Sequence, residues 1–272
     1  VAAITIEDLK AYYGIQFSPS VAPLHVVGDI DSSSVVTSLA DLTQQWSARS
    51  VVVPQPQFQS SAARTGLYVV DVPGAPQSVI RVGYMAMPQI HPDYYPATVM
   101  NHQLGGGITG RLFQILRIQN GYTYGAGSGF AGTLLPGPFT VSTSVRANVT
   151  LESMDLIKDI LENYGETYSE VDLLETKNAM IRSNFVNLET PNAQLGMLQD
   201  IGGYDLPSDY ISQREAIVAG MSVSSVQALA SQYIAAGQMT YVVVGDAATQ
   251  LPRLTELGYG EPVLVDREGN PL

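Results

Sequence analysis

Two stretches of this chain carry the same pattern 217 residues apart, and no other feature limits the fold so tightly. Ile4–Asp29 aligns without a gap on Met221–Asp246, the offset being 246 − 29 = 217. Thr5 matches Ser222 ahead of a helix, Leu9 matches Val226, Ala11 matches Ala228 and Phe17 matches Ile234; both copies end in Val-Val-Gly-Asp. Each reads as a capped helix, a turn containing Pro or Gly, and a buried strand that ends at a Gly-Asp turn. Val-Val-Gly-Asp alone recurs easily by chance, but a matched cap with a matched apolar register does not. The repeat predicts two homologous units. The second is complete here, and the first is represented by its tail, with its main body expected ahead of Val1.

The remaining segments follow from that division. Residues 1–50 read as the helix–strand–helix tail of the first unit, with Asp31 or Ser32 capping a helix through Trp46. Residues 51–63, rich in Pro, Gln and Ser, read as a linker. Residues 64–272 read as a complete unit. Gly66–Val72 and Gln77–Met87 alternate as strands about the turn Pro73-Gly-Ala-Pro, and His91-Pro92-Asp93 opens a helix that Gly105-Gly106-Gly107 ends. The strand after Tyr122 pairs with Phe139–Asn148 across Leu135-Pro-Gly-Pro, Thr150 and Ser169 cap two long helices, and shorter helices follow Thr190-Pro191 and Pro207. Strands interleaved with helical pairs predict an α+β fold, a mainly antiparallel sheet with helices packed on one face.

Composition excludes several functions. Thirteen basic against twenty-five acidic residues give a net charge of −12, which disfavours nucleic acid or anionic lipid as a partner. The absence of cysteine rules out disulfides and thiolate zinc sites, and suits the periplasm and the cytosol equally. No apolar run reaches the length of a spanning helix. The chain begins at Val1 rather than Met, as expected of a processed or excised polypeptide. Only His25, His91 and His102 could offer imidazole to a metal, and none has a second His or Glu at ligand spacing, so structural roles are expected for all three. No Ser-His-Asp or Cys-His set can be assembled, and the triple glycine lacks the Lys-Ser/Thr of a phosphate loop.

Asn101–Phe130 concentrates what chemistry remains. Thr109 is a candidate cap for a helix whose Leu112, Ile115 and Leu116 form a buried stripe, and Asn120-Gly121 stops it. Arg117 then falls on the last helical turn and Tyr124 just inside the next strand, where both could reach one cleft. Taken singly, Arg117 reads as well as the partner of a surface carboxylate, and Tyr124 as a half-buried strand aromatic.

The segment Leu104–Gly125 resembles the signature of the non-zinc half of peptidase family M16, the pitrilysin, insulinase and mitochondrial-processing-peptidase group. The likeness continues at Leu188–Gly196, Gly203–Val226, Tyr241–Asp246 and Leu257–Leu272, in the family's order. It implies one half of a clamshell of two similar α+β halves that closes over a peptide substrate in a zinc metalloendopeptidase. It implies no zinc in this chain; the metal and general base would belong to a His-x-x-Glu-His partner half, fused upstream or separate. By the same resemblance Arg117 and Tyr124 are the catalytic pair that hydrogen-bonds the scissile carbonyl and its oxyanion. Ile118 departs from the pattern, which often has Glu there and so a further contact orienting the Arg. A structural core-subunit role, with no catalytic contribution, is the alternative the family offers.

Overall fold

In the second unit, apolar residues at every other position create one buried face per strand, and those faces share a single core. The computed structural model describes residues 3–53, 65–186 and 188–272; most of the expected linker lies outside them. By contact the chain forms two compact units, Val1–Gln57 with Ser183–Tyr210, and Phe58–Arg182 with Ile211–Leu272. The helices are α1 Ile6–Gln16, α2 Ser32–Ser38, α3 Ala40–Gln45, α4 Tyr94–Gly105, α5 Arg111–Phe113 running on as a π-helix over Gln114–Gln119, α6 Thr150–Asn163, α7 Glu170–Val186, α8 Pro191–Gly203, α9 Tyr210–Gly220, α10 Val223–Tyr233 and α11 Ala247–Leu254. None of the described helices is long and apolar enough to cross a membrane.

The second unit is built on a six-stranded sheet: β1 Gly66–Asp71, β2 Gln77–Met87, β3 Thr123–Phe130, β4 Gly137–Arg146, β5 Thr240–Gly245 and β6 Val263–Val265. Its order is β3-β4-β2-β5-β1-β6. Antiparallel bonds join β3 to β4, β4 to β2 and β2 to β5, while β1 runs parallel to β5 and β6. The sheet is thus mainly antiparallel, as expected. Leu67, Val69, Ile80, Val82, Phe139, Val141, Tyr241 and Val243 alternate with half-buried or exposed residues and form the core with Met100 and Leu104 of α4, Met154 and Ile157 of α6, and Val226 of α10. β1 and β2 follow each other in sequence, yet β5 lies between them.

Most caps stand where the sequence puts them. Thr5 and Ser222 both form capping boxes, with Asp8 and Ser225. Asp31 and Thr190 cap α2 and α8, and Ser169 exchanges hydrogen bonds with Asp172 ahead of α7. Three expectations fail. The helix expected from Asp31 to Trp46 breaks at Leu39 into α2 and α3. Thr150 lies inside α6, its hydroxyl donating to Ala147 O at 2.9 Å with Ser78 Oγ 2.8 Å away, while Val149 takes the cap position. Of the two repeat copies, both form the helix but only the second forms the strand: residues 22–27 have no regular secondary structure. A strand needs neighbouring backbone on which to place its N–H and C=O groups. Thr240–Gly245 has β1 on one side and β2 on the other, and no described strand pairs with the first copy.

Candidate functional site

β3 is an edge strand, and α4 holds it in place. Asn101 Nδ2 donates to Ser128 O at 2.8 Å and Ser128 Oγ donates to Asn101 Oδ1 at 2.6 Å, so a buried amide laces helix to strand. Gly105 permits the approach, since a β-carbon there would overlap the Ser128 backbone nitrogen.

The helix before β3 does not start as expected. Gly110, not Thr109, occupies its N-cap position, with no side-chain cap bond. After one α-turn it widens into a π-helix anchored by buried Leu116, and Asn120 N–H reaches back to Ile115 O at 3.2 Å. A π-turn inserts an extra residue per turn and re-aims the side chains that follow it. Gly121, at φ +64°, ends the helix; its N–H donates to Arg117 O at 3.1 Å, and the Arg146 guanidinium donates to its carbonyl at 2.8 Å.

The chain then enters β3 through a bulge, Thr123 and Ala126 facing Val145 and Thr143, so that β3 has one residue more than β4. The Thr123 hydroxyl donates to Ser144 O at 2.7 Å and accepts from Gly125 N–H at 3.1 Å, and Thr143 Oγ1 lies 3.0 Å from it. Tyr124 is carried within this clasped bulge, with its side chain 85% exposed.

Arg117 and Tyr124 do meet. Arg117 Nη1 donates to the Tyr124 carbonyl, and its guanidinium lies over the Phe113 ring, 5.0 Å from the centroid. Among the described residues Arg117 makes no ion pair, unlike Arg111 with Asp172 and Arg253 with Glu152. Arg111, six residues earlier, shows what a structural arginine looks like here: it binds Tyr164 O, the Thr167 hydroxyl and carbonyl, and Asp172, and lies over the Tyr164 ring. Arg117 is exposed and carries one carbonyl and one ring contact. Ile118 is exposed beside it. No group of three or more His, Asp or Glu among the described residues could hold a metal.

Four supporting residues were not anticipated. Phe113 could have been, because it lies four residues before Arg117 and so shares a helical face with it. Thr123, Thr143 and Arg146 could not, since their contacts depend on strand register and on where the helix ends.

The fold is an α+β module built on an open six-stranded sheet, with Arg117 and Tyr124 at its β3 edge. The family model described as peptidase M16 inactive domain matches residues 3–180, and the chain belongs to that family. It is 24% identical over 174 residues to an uncharacterised zinc protease of Streptomyces coelicolor, covering 61% of this chain and 37% of that protein. Among solved structures, the peptidase M16 inactive domain from Pseudomonas fluorescens superposes with a TM-score of 0.80 at 23% identity, over 90% of this chain and 58% of that one. A protease from Helicobacter pylori gives a TM-score of 0.79 at 19% identity, over 90% and 59%. The chain therefore spans well under two thirds of each of these relatives.

Proposed function

We propose that this chain is the non-zinc half of an M16 peptidase. It closes a chamber over a peptide, and Arg117 and Tyr124 donate hydrogen bonds to the scissile carbonyl oxygen as it becomes an oxyanion. The observation carrying this reading is their joint placement: a guanidinium held against the backbone of a residue whose phenol is presented to solvent. Neither group is a nucleophile at neutral pH, and both are good donors to charge developing on oxygen. Such a donor contributes about 2.7–4 kcal/mol in comparable oxyanion sites. Turning Arg117 from the Tyr124 carbonyl to a substrate oxygen forgoes one charge-assisted hydrogen bond, worth about 1.5–3 kcal/mol, which offsets much of that contribution. Zinc and the general base belong to a partner half, fused upstream or separate; when bound, that metal activates the attacking water.

In the assembled peptidase, Arg117→Ala and Tyr124→Phe are each expected to lower kcat/KM roughly 10²-fold or more. Both side chains are exposed, so the melting temperature of the chain should hardly move, within about 0.5 kcal/mol of stability. Unchanged kcat/KM rejects the role. A second reading, a purely structural module, is favoured by the fact that the Arg117 guanidinium is already used on a backbone carbonyl. It predicts the reverse result: weakened assembly or stability with kcat/KM intact.

A further inference from the structure

Alternation gives the sheet of the second unit two faces, and the one turned away from the core carries charge of a single sign. Where Ile80, Val82, Val141 and Val243 are buried, the residues between them are half-buried or exposed: Val79 and Arg81 on β2, Ser142 and Ser144 on β4, Val242 on β5. The six described strands hold one acidic residue, Asp71, which lies at the end of β1 and accepts the Ala247 N–H, although the whole chain has twenty-five acids against thirteen bases. Their two cations, Arg81 and Arg146, both alternate onto the open face. Arg146 is engaged, donating to Gly121 O at 2.8 Å. Arg81 is exposed and makes no ion pair among the described residues; its guanidinium's one hydrogen bond there goes to the adjacent Ile80 carbonyl at 3.0 Å. Its neighbours in register are Val242 on one side and Ser142 on the other, a serine whose hydroxyl has no partner among the described residues. A guanidinium is a rigid fork of donors that matches a carboxylate, and this one has none.

We propose that Arg81 is a specificity-determining residue, binding a carboxylate of the peptide substrate about three or four residues from the scissile bond. Resting on the reading of Arg117 and Tyr124 as oxyanion donors, this names the class of peptide that the same site favours. The distance follows from the register. Thr123 faces Val145 and Ala126 faces Thr143, so Tyr124 shares with Gly125 the place opposite Ser144; Ser144 in turn faces Val79, two residues from Arg81. Tyr124 follows Thr123, whose hydroxyl meets Thr143 on the core side, and so alternates onto the open face with Arg81. The two are then separated by two strand spacings of ~4.8 Å and two residues of ~3.4 Å, about 12 Å in all. An extended peptide covers that distance in about three or four residues. A carboxylate placed there meets the guanidinium with the Ser142 hydroxyl beside it, and no acidic strand residue on this face opposes it. Either an Asp or Glu side chain or the terminal carboxylate of a peptide ending at that point supplies this chemistry. The net charge of −12 works against acidic peptides at long range, so the preference depends on this local contact.

The test uses the assembled peptidase and two sets of fluorogenic peptides built around one cleavage site. In the first, a single Glu or its isostere Gln is walked outward on either side of the scissile bond. In the second, the peptide ends at those same positions as a free carboxylate or as an amide. The parent is expected to prefer the carboxylate roughly 10-fold in kcat/KM at the third or fourth position on one side, the scale of one charge-assisted hydrogen bond. Arg81→Gln should bring that ratio to about 1 while leaving kcat/KM for the neutral peptides and the melting temperature unchanged, and Arg81→Lys should keep part of it. A preference confined to the first set assigns the contact to an acidic side chain, and one confined to the second assigns it to a chain terminus. A parent with no preference at the third or fourth position overturns the inference, and so does a preference that Arg81→Gln leaves intact. Fluorescence anisotropy of the same peptides reads the ratio as binding, without cleavage. Arg117→Ala and Tyr124→Phe should slow cleavage of the Glu and Gln peptides alike and leave their ratio unaltered, so the charge preference and the oxyanion reading can fail separately.

Discussion

His102 lies on α4, partly buried, with the Glu175 carboxylate near enough to act on it. Burial disfavours the imidazolium and pushes its pKa below the ordinary 6.5; Glu175 pulls upward, but burial is the larger effect. Because the unfolded chain takes up this proton more readily, His102 leaves stability untouched above pH 6.5 and lowers it as the pH falls through 6.5 toward the depressed folded value. His102→Gln should therefore flatten the acid side of the melting-temperature profile below about pH 6.5 while leaving the curve at pH 8 parallel to that of the parent. An unaltered acid slope in the variant contradicts this. At this scale the sequence was partly legible. Arg117 and Tyr124 stand out because their types and seven-residue spacing fall across a helix end and a strand start, both marked by local glycines. The clasp of Thr123 on Thr143, which shapes the bulge beneath Tyr124, depends on the β3–β4 register and so could not be read residue by residue.

The glycines that bound the elements around the site have different physical reasons, and substitution separates them. Gly105 is small because α4 touches β3: an added methyl overlaps Ser128 N and comes within 2.8 Å of Leu112 Cδ1. Gly121 is glycine because its backbone is left-handed. Gly107 has nothing within 4 Å of an added β-carbon and no positive φ. Gly105→Ala should cost about 1–3 kcal/mol through overpacking, and Gly121→Ala about 1–2 kcal/mol through backbone strain. Gly107→Ala should cost little. For a unit of this size each kcal/mol is about 2–4 °C in Tm, which differential scanning calorimetry resolves. Equal shifts for Gly105→Ala and Gly107→Ala contradict the close-packing account. Helix ends were legible where a Ser, Thr or Asp can satisfy free N–H groups locally, as at Thr5, Ser222 and Thr190. They depart from the sequence pattern where tertiary contacts take over: the Thr150 hydroxyl turns to Ser78 on β2 instead of capping, and the Arg117 helix is capped at Gly110 and relaxes into a π-turn.

Over the whole molecule, the decisive contact is the insertion of a strand from the end of the chain between two strands that are neighbours in sequence. Val243 and its repeat counterpart Val26 occupy the same place in the same Val-Val-Gly-Asp motif, so local propensity treats them alike. Position in the fold does not: Val243 pairs with Val69 and Ile80 and is fully buried, whereas no described strand lies beside Val26. Alternation thus identified the strands of the second unit, and the repeat predicted a matched pair, but neither could say that only the second copy would form one among the described residues. The identical substitution tests that distinction. Val243→Asp places an unpaired carboxylate at the centre of the sheet, and the loss should exceed about 4 kcal/mol, enough to abolish cooperative melting of that unit. Val26→Asp in the 272-residue chain should change stability by no more than about 0.5 kcal/mol, because the carboxylate remains in water. Melting followed by far-UV circular dichroism distinguishes them. If both variants unfold, the first copy is already packed in the isolated chain; if only Val243→Asp does, Val26 faces water there.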